Sequence, residues 1–178
     1  MTIADPIING PYDPPQQHFE LGDDGSPTGT IVNGRRPSTS YIPVPAVVKR
    51  SKSAPKAVQE AMDLSTDGEQ RELNTLINDI RQRVELWRMR NYPGATAISR
   101  KLMLHWANPT RENRVLYCQR EAAETAIYLA EVAGRHGEPD FRTRLIPENA
   151  VHNDGLPRIG FKMATGTGKT VVMAMLIA

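Results

Sequence analysis

Residues 158–178 read Arg-Ile-Gly-Phe-Lys-Met-Ala-Thr-Gly-Thr-Gly-Lys-Thr-Val-Val-Met-Ala-Met-Leu-Ile-Ala. Residues 158–163 alternate, with Ile159, Phe161 and Met163 on one face, which predicts a strand. Ala164-Thr165-Gly166-Thr167-Gly168-Lys169-Thr170 follows, and Val171 to Ala178 is an unbroken small and apolar run that suits a buried helix. Strand, glycine-rich turn, Lys-Thr and helix is the layout of a phosphate-binding loop.

The chemistry requires these residue types. Gly166 and Gly168 open backbone angles closed to other residues and let the chain approach a polyphosphate. The amides of Thr165, Gly166, Thr167, Gly168, Lys169 and Thr170 would point inward as an anion nest, and the new helix adds its N-terminal partial charge. Lys169 would reach the β- and γ-phosphates, and the Thr170 hydroxyl would bind Mg²⁺. With glycine near 7% of residues, G-x-G-K-[ST] arises by chance in roughly one chain of this length in a hundred or two. The general loop pattern also wants Gly six residues before Lys169, where Met163 stands.

That departure carries a resemblance. Met163 to Thr170 followed by Val-Val-Met-Ala-Met-Leu-Ile resembles motif I of the superfamily 2 DEAD/DEAH-box helicases, and most closely that of the Res (helicase) subunits of type III restriction-modification systems. Those subunits often carry Glu where Lys162 stands. Upstream, Tyr117-Cys118-Gln119-Arg120-Glu121-Ala122 resembles the Q motif. The resemblance assigns Gln119 the adenine contact, since a carboxamide offers both a donor and an acceptor to the adenine N6/N7 edge. The plainer reading is a polar residue at a helix N-terminus. Gly34-Arg35-Arg36-Pro37-Ser38, and the stretch from Trp87-Arg88 through Pro93-Gly94 to His105-Trp106, are similar to N-terminal regions of large Res-like helicases.

The resemblance implies an α/β protein holding the opening part of a RecA-like P-loop domain. Its cofactors would be ATP and Mg²⁺, with Lys169 and Thr170 as the catalytic pair. DNA and a restriction-modification partner subunit would be its partners through the parent protein. Such helicases also need an acidic motif II and a second RecA-like domain to complete phosphoryl transfer. No Asp or Glu follows Asp154. The expectation is therefore the N-terminal part of a longer helicase, inactive alone. Two rivals stand beside it: another P-loop NTPase or kinase, and a non-catalytic interaction fragment with a vestigial loop.

Working outward, the expected organisation is a Pro/Gly-rich segment over 1–57, a helical region over 58–112, and the start of the ATP-binding domain over 113–178. Nine of the 14 prolines fall in the first segment, which is expected to be largely disordered. Within it His18–Leu21 and Gly29–Val32, joined by the turn-rich Gly22–Pro27, predict a hairpin, and Ser40–Pro45 reads as extended or polyproline-like chain. Leu73, Leu76, Ile77, Ile80, Val84 and Trp87 form one apolar stripe and predict a helix over 69–90. A second helix over 96–107 would carry Ile98, Leu102, His105 and Trp106 on one side, with Trp106 either a core residue or an adenine-stacking one. A third, from about 113 to 133, presents Ala122, Ala123, Ala126, Ile127, Ala130 and Ala133, small residues that suit close packing. Residues 134–157 read as an irregular surface insertion with a short strand at Phe141–Ile146.

The 178 residues carry 22 basic and 20 acidic groups and a mean hydropathy of −0.45. That balance is not the strongly basic one of a dedicated nucleic-acid binder. One local excess stands out: Arg81, Arg83, Arg88, Arg90, Arg100 and Lys101 against Glu85, either a solvated helix face or a contact for phosphate or an acidic partner. No run approaches the ~18 apolar residues of a spanning helix, so no membrane role is expected. One cysteine, Cys118, cannot pair within the chain and reads as a structural thiol. The Met1 end has no secretory pattern, so the expected compartment is the reducing cytoplasm. His18, His105, His136 and His152 lack metal-ligand spacing.

Overall fold

The computed structural model describes residues 5–22, 25–43, 69–152 and 158–178. Two antiparallel strand pairs lead into a helical body. The first pair is β1 (Gln17–Leu21) and β2 (Pro27–Asn33), with Gln17 opposite Asn33 and Leu21 opposite Pro27. It lies where alternation and turn residues place a hairpin. The second pair is β3 (Thr39–Pro43) and β4 (Glu69–Leu73), with Thr39 opposite Leu73. Ser40–Pro43 is thus a paired strand rather than free polyproline-like chain. Val44 and Pro45, and residues 58–68 at the head of the expected helical region, lie outside the described residues.

The helices are α1 (Thr75–Met89), α2 (Ala97–Ala107), α3 (Tyr117–Ile127) continued by a π turn over Tyr128–Val132, α4 (Phe141–His152) and α5 (Lys169–Ile177). Helix α1 starts six residues later than its apolar stripe suggests. Residues 69–73 pair with β3, and the Asn74 side chain is held by Ser38 Oγ at 3.1 Å and Ser40 Oγ at 2.8 Å. Ile80, Val84 and Trp87 are buried as expected, whereas Leu73 and Ile77 are exposed. In α2 the Thr96 Oγ1 accepts from Ser99 N at 3.2 Å, an ordinary N-cap. Its buried face is Met103 and Trp106; Ile98 stays 72% exposed and His105 is exposed. The expected stripe is thus rotated about the helix, and Trp106 is a core residue.

Helix α3 begins at Tyr117, not 113, and packs against α1, α2 and α5. Its small residues serve that role: Ala122 and Ala123 are buried, and Gly134, at φ +74°, lies just past the π turn's C-cap, Ala133. The core joins Val84 and Trp87 of α1, Met103 and Trp106 of α2, Tyr128, Leu129 and Val132, with Phe141 and Met175 from α4 and α5. Trp87 meets Tyr92 edge-on at 5.0 Å and Tyr128 at 5.4 Å, geometries that add to area burial.

Phe141–Ile146 is helical, not a strand. Asp140 caps the start of α4, its Oδ1 accepting from Arg142 N at 3.1 Å and its Oδ2 from Thr143 Oγ1 at 2.5 Å. Residues 158–164 form no strand, because a strand exists only through a partner's hydrogen bonds and the described sheets contain only β1–β4. No RecA-like sheet is therefore seen among the described residues.

The described part of the first segment, residues 5–22 and 25–43, is tied to the helices by specific contacts. Tyr117 N donates to Pro11 O at 2.9 Å, Arg114 stacks over the Tyr12 ring at 4.0 Å, and Asn78 of α1 brackets Ser38 with bonds of 2.8 and 3.1 Å. Polar ties to the helices replace the apolar core this segment lacks.

Candidate functional site

The glycine-rich loop spans Ala164 to Gly168, immediately ahead of α5. Gly166 and Gly168 have φ of +81° and +72°, the left-handed region that excludes most side chains. Gly168 is the N-cap of α5, and Val171 N donates to its carbonyl at 2.9 Å. A turn closes the loop: Thr167 Oγ1 donates to Ala164 O at 2.7 Å. Lys169 Nζ donates to the same carbonyl at 3.0 Å, so the ammonium group folds back over the loop it follows. Among the described residues, the backbone N–H groups of Gly166, Gly168, Lys169 and Thr170 donate to no acceptor. Lys169 and Thr170 are both exposed, as are Thr165 and Gly166.

These features fit a polyphosphate. Four amides without acceptors, two glycines in the conformation the turn needs and a helix start supply donors and positive potential on one short loop. Lys169 and Thr170 would hold the phosphate and its Mg²⁺. Among the described residues no group of three or more His, Cys, Asp or Glu could hold a metal ion by itself. A cation here would therefore depend on Thr170 and on the phosphate oxygens.

Gln119 reaches this loop. Its Oε1 accepts from Leu116 N at 3.0 Å, satisfying one of the first amides of α3, and its Nε2 donates to Thr167 O at 2.8 Å. The side chain is buried, and a Cβ on Gly168 would collide with Nε2. One amide hydrogen and one oxygen lone pair remain for a further partner. Gln119 therefore braces the loop, a role that its sequence position alone does not reveal. Val172 and Met175 of α5 are buried, while Ile159, Phe161, Val171, Leu176 and Ile177 are exposed. Cys118 beside Gln119 is a half-buried free thiol.

Behind Gln119, α3 carries a polar network that sequence reading missed. Glu124 is fully buried. Its Oε2 accepts from Arg88 Nε at 2.8 Å and Nη2 at 2.6 Å, and its Oε1 accepts from Tyr92 Oη at 2.7 Å. Burial and the adjacent carboxylate push the Tyr92 hydroxyl well above its usual range. One turn earlier, Glu121 takes a two-pronged pair from Arg35 and accepts from Tyr117 Oη at 3.0 Å. Burial opposes the Glu121 charge, but the Arg35 hydrogen bond and charge outweigh it and hold this carboxyl below its ordinary value. The available signal was acidic residues at i and i+3 within a small-residue helix face, a place where carboxylates need partners. The expected basic face divides accordingly. Arg88 is an internal ion-pair member, Arg81 is half-buried, and Arg83, Arg90, Arg100 and Lys101 are exposed.

Comparison of the chain with protein-family models, with curated proteins and with solved structures finds no match in any of the three. No helix among the described residues is long and apolar enough to cross a membrane.

Proposed function

We propose that residues 164–170 bind the phosphates of Mg·ATP and that the chain is the nucleotide-binding opening of an ATP-dependent DNA helicase or translocase of the type III restriction kind. The observation that carries the first part is the loop itself: left-handed Gly166 and Gly168, amides without acceptors, and Lys169-Thr170 at the head of a helix. In this reading Lys169 leaves Ala164 O for the phosphate oxygens, and Thr170 supplies a hydroxyl to Mg²⁺. Gln119 holds Thr167 and presents its remaining donor and acceptor to the base. The second part rests on the likeness of residues 117–122 and 163–177 to the Q motif and motif I. DNA, a restriction-modification partner subunit and a cytoplasmic setting come with it.

Calorimetry tests the first part. The chain should bind Mg·ATP weakly, and Lys169→Ala should abolish binding by removing the charge meant for the γ-phosphate. Equal binding by the two proteins, or none by either, overturns the reading and favours an interaction fragment with a vestigial loop. Hydrolysis is a separate matter. Hydrolysis needs an acidic partner for Mg²⁺ as well as the loop, so DNA-stimulated ATPase is measured as its own readout. Turnover lost in Lys169→Ala would show that the carboxylate comes from elsewhere in the chain.

A further inference from the structure

A cleft of about 520 Å³ lies between the hairpin, the segment after it and α1. Arg35, Arg36 and Arg81 line it, with His18, Gln17 and Asn9, and no carboxylate does. A neighbouring cleft shares the three arginines but adds Asp79 and Glu85, so only the first is free of anionic lining.

The charges in this cleft do not balance. Arg35 is paired with Glu121, which does not line the cleft. Arg36 and Arg81 have no ion pair among the described residues, and Arg36 is exposed. Burial, and after it the Arg35 charge, hold the Arg81 guanidinium below its usual value, with Glu121 opposing and Arg36 adding a smaller push. The fold therefore keeps like charges together, with stable anchors on each side. Asn78 fixes Ser38 just beyond Arg36-Pro37, and His18 Nδ1 is 2.7 Å from Gly34 O just before Arg35. Guanidinium groups held this way are suited to the oxygens of a phosphate, which would offset the repulsion.

We propose that this cleft is a phosphate-binding site separate from the glycine-rich loop, with Arg36 and Arg81 as its ligands and Arg35 as its fixed wall. The phosphate is either a free phosphate ester or one link of a nucleic-acid backbone. The site goes beyond the proposed ATP function and does not depend on it.

The test uses the full chain carrying Lys169→Ala, so that the loop contributes nothing, with two probes: inorganic pyrophosphate and a ten-nucleotide oligothymidylate. Binding of either probe should weaken about tenfold in Arg36→Ala and again in Arg81→Ala, and should fall with added salt. Arg81→Lys, which keeps the charge but not the fork, should show an intermediate loss. Arg36 is exposed, so Arg36→Ala keeps the test valid if the Arg81 variants unfold. Arginine-dependent binding of pyrophosphate alone supports the site and identifies a small phosphate ester. Arginine-dependent binding of the oligonucleotide supports it and identifies a backbone phosphate. Binding that ignores both arginines, or no binding of either probe, overturns the proposal.

Discussion

Gln119 Nε2 lies 2.8 Å from the carbonyl oxygen of Thr167, a bond spanning 48 residues that ties the first turn of α3 to the glycine-rich loop. Gly168 must remain glycine on two grounds: its φ is +72°, and a Cβ would strike that same nitrogen. The two residues are therefore energetically coupled. Gln119→Ala leaves Leu116 N and Thr167 O without their partner and should cost about 1–3 kcal/mol. Gly168→Ala should cost ~1–2 kcal/mol in backbone strain and more through loss of the Gln119 bond. In the double variant the collision disappears, and what remains is the strain together with the cost of the missing Gln119 side chain. A double-mutant cycle by urea unfolding should show a coupling of about 1 kcal/mol. Strict additivity would mean that Gln119 does not brace the loop.

Glu124 sets the cost of breaking the interior. It is fully buried and faces Arg88, Tyr92 and, at 3.5 Å, Arg120. Glu124→Leu removes the carboxylate and leaves the Arg88 charge enclosed, at an expected cost of ~3–5 kcal/mol. Against a total near 5–15 kcal/mol, that threatens the fold. Adding Arg88→Met removes the orphaned charge and should recover part of the loss. If the double variant is no more stable than Glu124→Leu in thermal melts, the penalty comes from lost packing rather than from the stranded charge.

Acid should act on the Arg35–Glu121 pair. The Glu121 carboxyl is held below its ordinary value in the folded chain. The unfolded state then binds its proton first as pH falls, so the pair's stability is fully present above the ordinary glutamate value of about 4.3. It is lost as pH drops below that toward the folded-state value. Arg35→Met should cost about 1–2 kcal/mol at pH 7, between the ranges for exposed and buried pairs. The gap between wild type and variant should narrow by pH 3. A gap of constant size would locate the Arg35 contribution in its aliphatic stem instead.

Local patterns were legible where the deciding contacts are local. The hairpin at 17–33 follows from alternation and turn residues, and the helix expected over 96–107 is α2, with Thr96 as its N-cap accepting from Ser99 N. The glycines at 166 and 168 announce the turn they form. What sequence alone did not show depends on distant partners. Residues 69–73 continue a helical stripe in sequence, but β3 pairs with them. Ile159, Phe161 and Met163 alternate, yet no strand lies beside them among the described residues. Helix α4 was missed because its apolar pattern is weak, although Asp140 and Thr143 carried the capping signal. Arg88 and Glu124 are 36 residues apart, and no periodicity reveals that they meet.

The segment around the loop should divide into two dynamic classes. Val172 and Met175 of α5 are buried where that helix packs on α3, and Gln119 fixes Thr167 ahead of it. Residues 158–164 have no ladder hydrogen bonds, and Ile159 and Phe161 are exposed. Backbone amides exchange through local opening, whose cost rises with buried contacts and internal hydrogen bonds. Hydrogen exchange should therefore be fast over 158–164 and slower over 173–177, whose i−4 carbonyls lie within α5. Gln119→Ala should speed exchange in the first turn of α5 while leaving the amides of α1 unchanged. Uniformly fast exchange from 158 to 177 would show that the α3 contact does not hold α5. Protection over 158–164 equal to that of α5 would require a strand partner for Ile159 and Phe161.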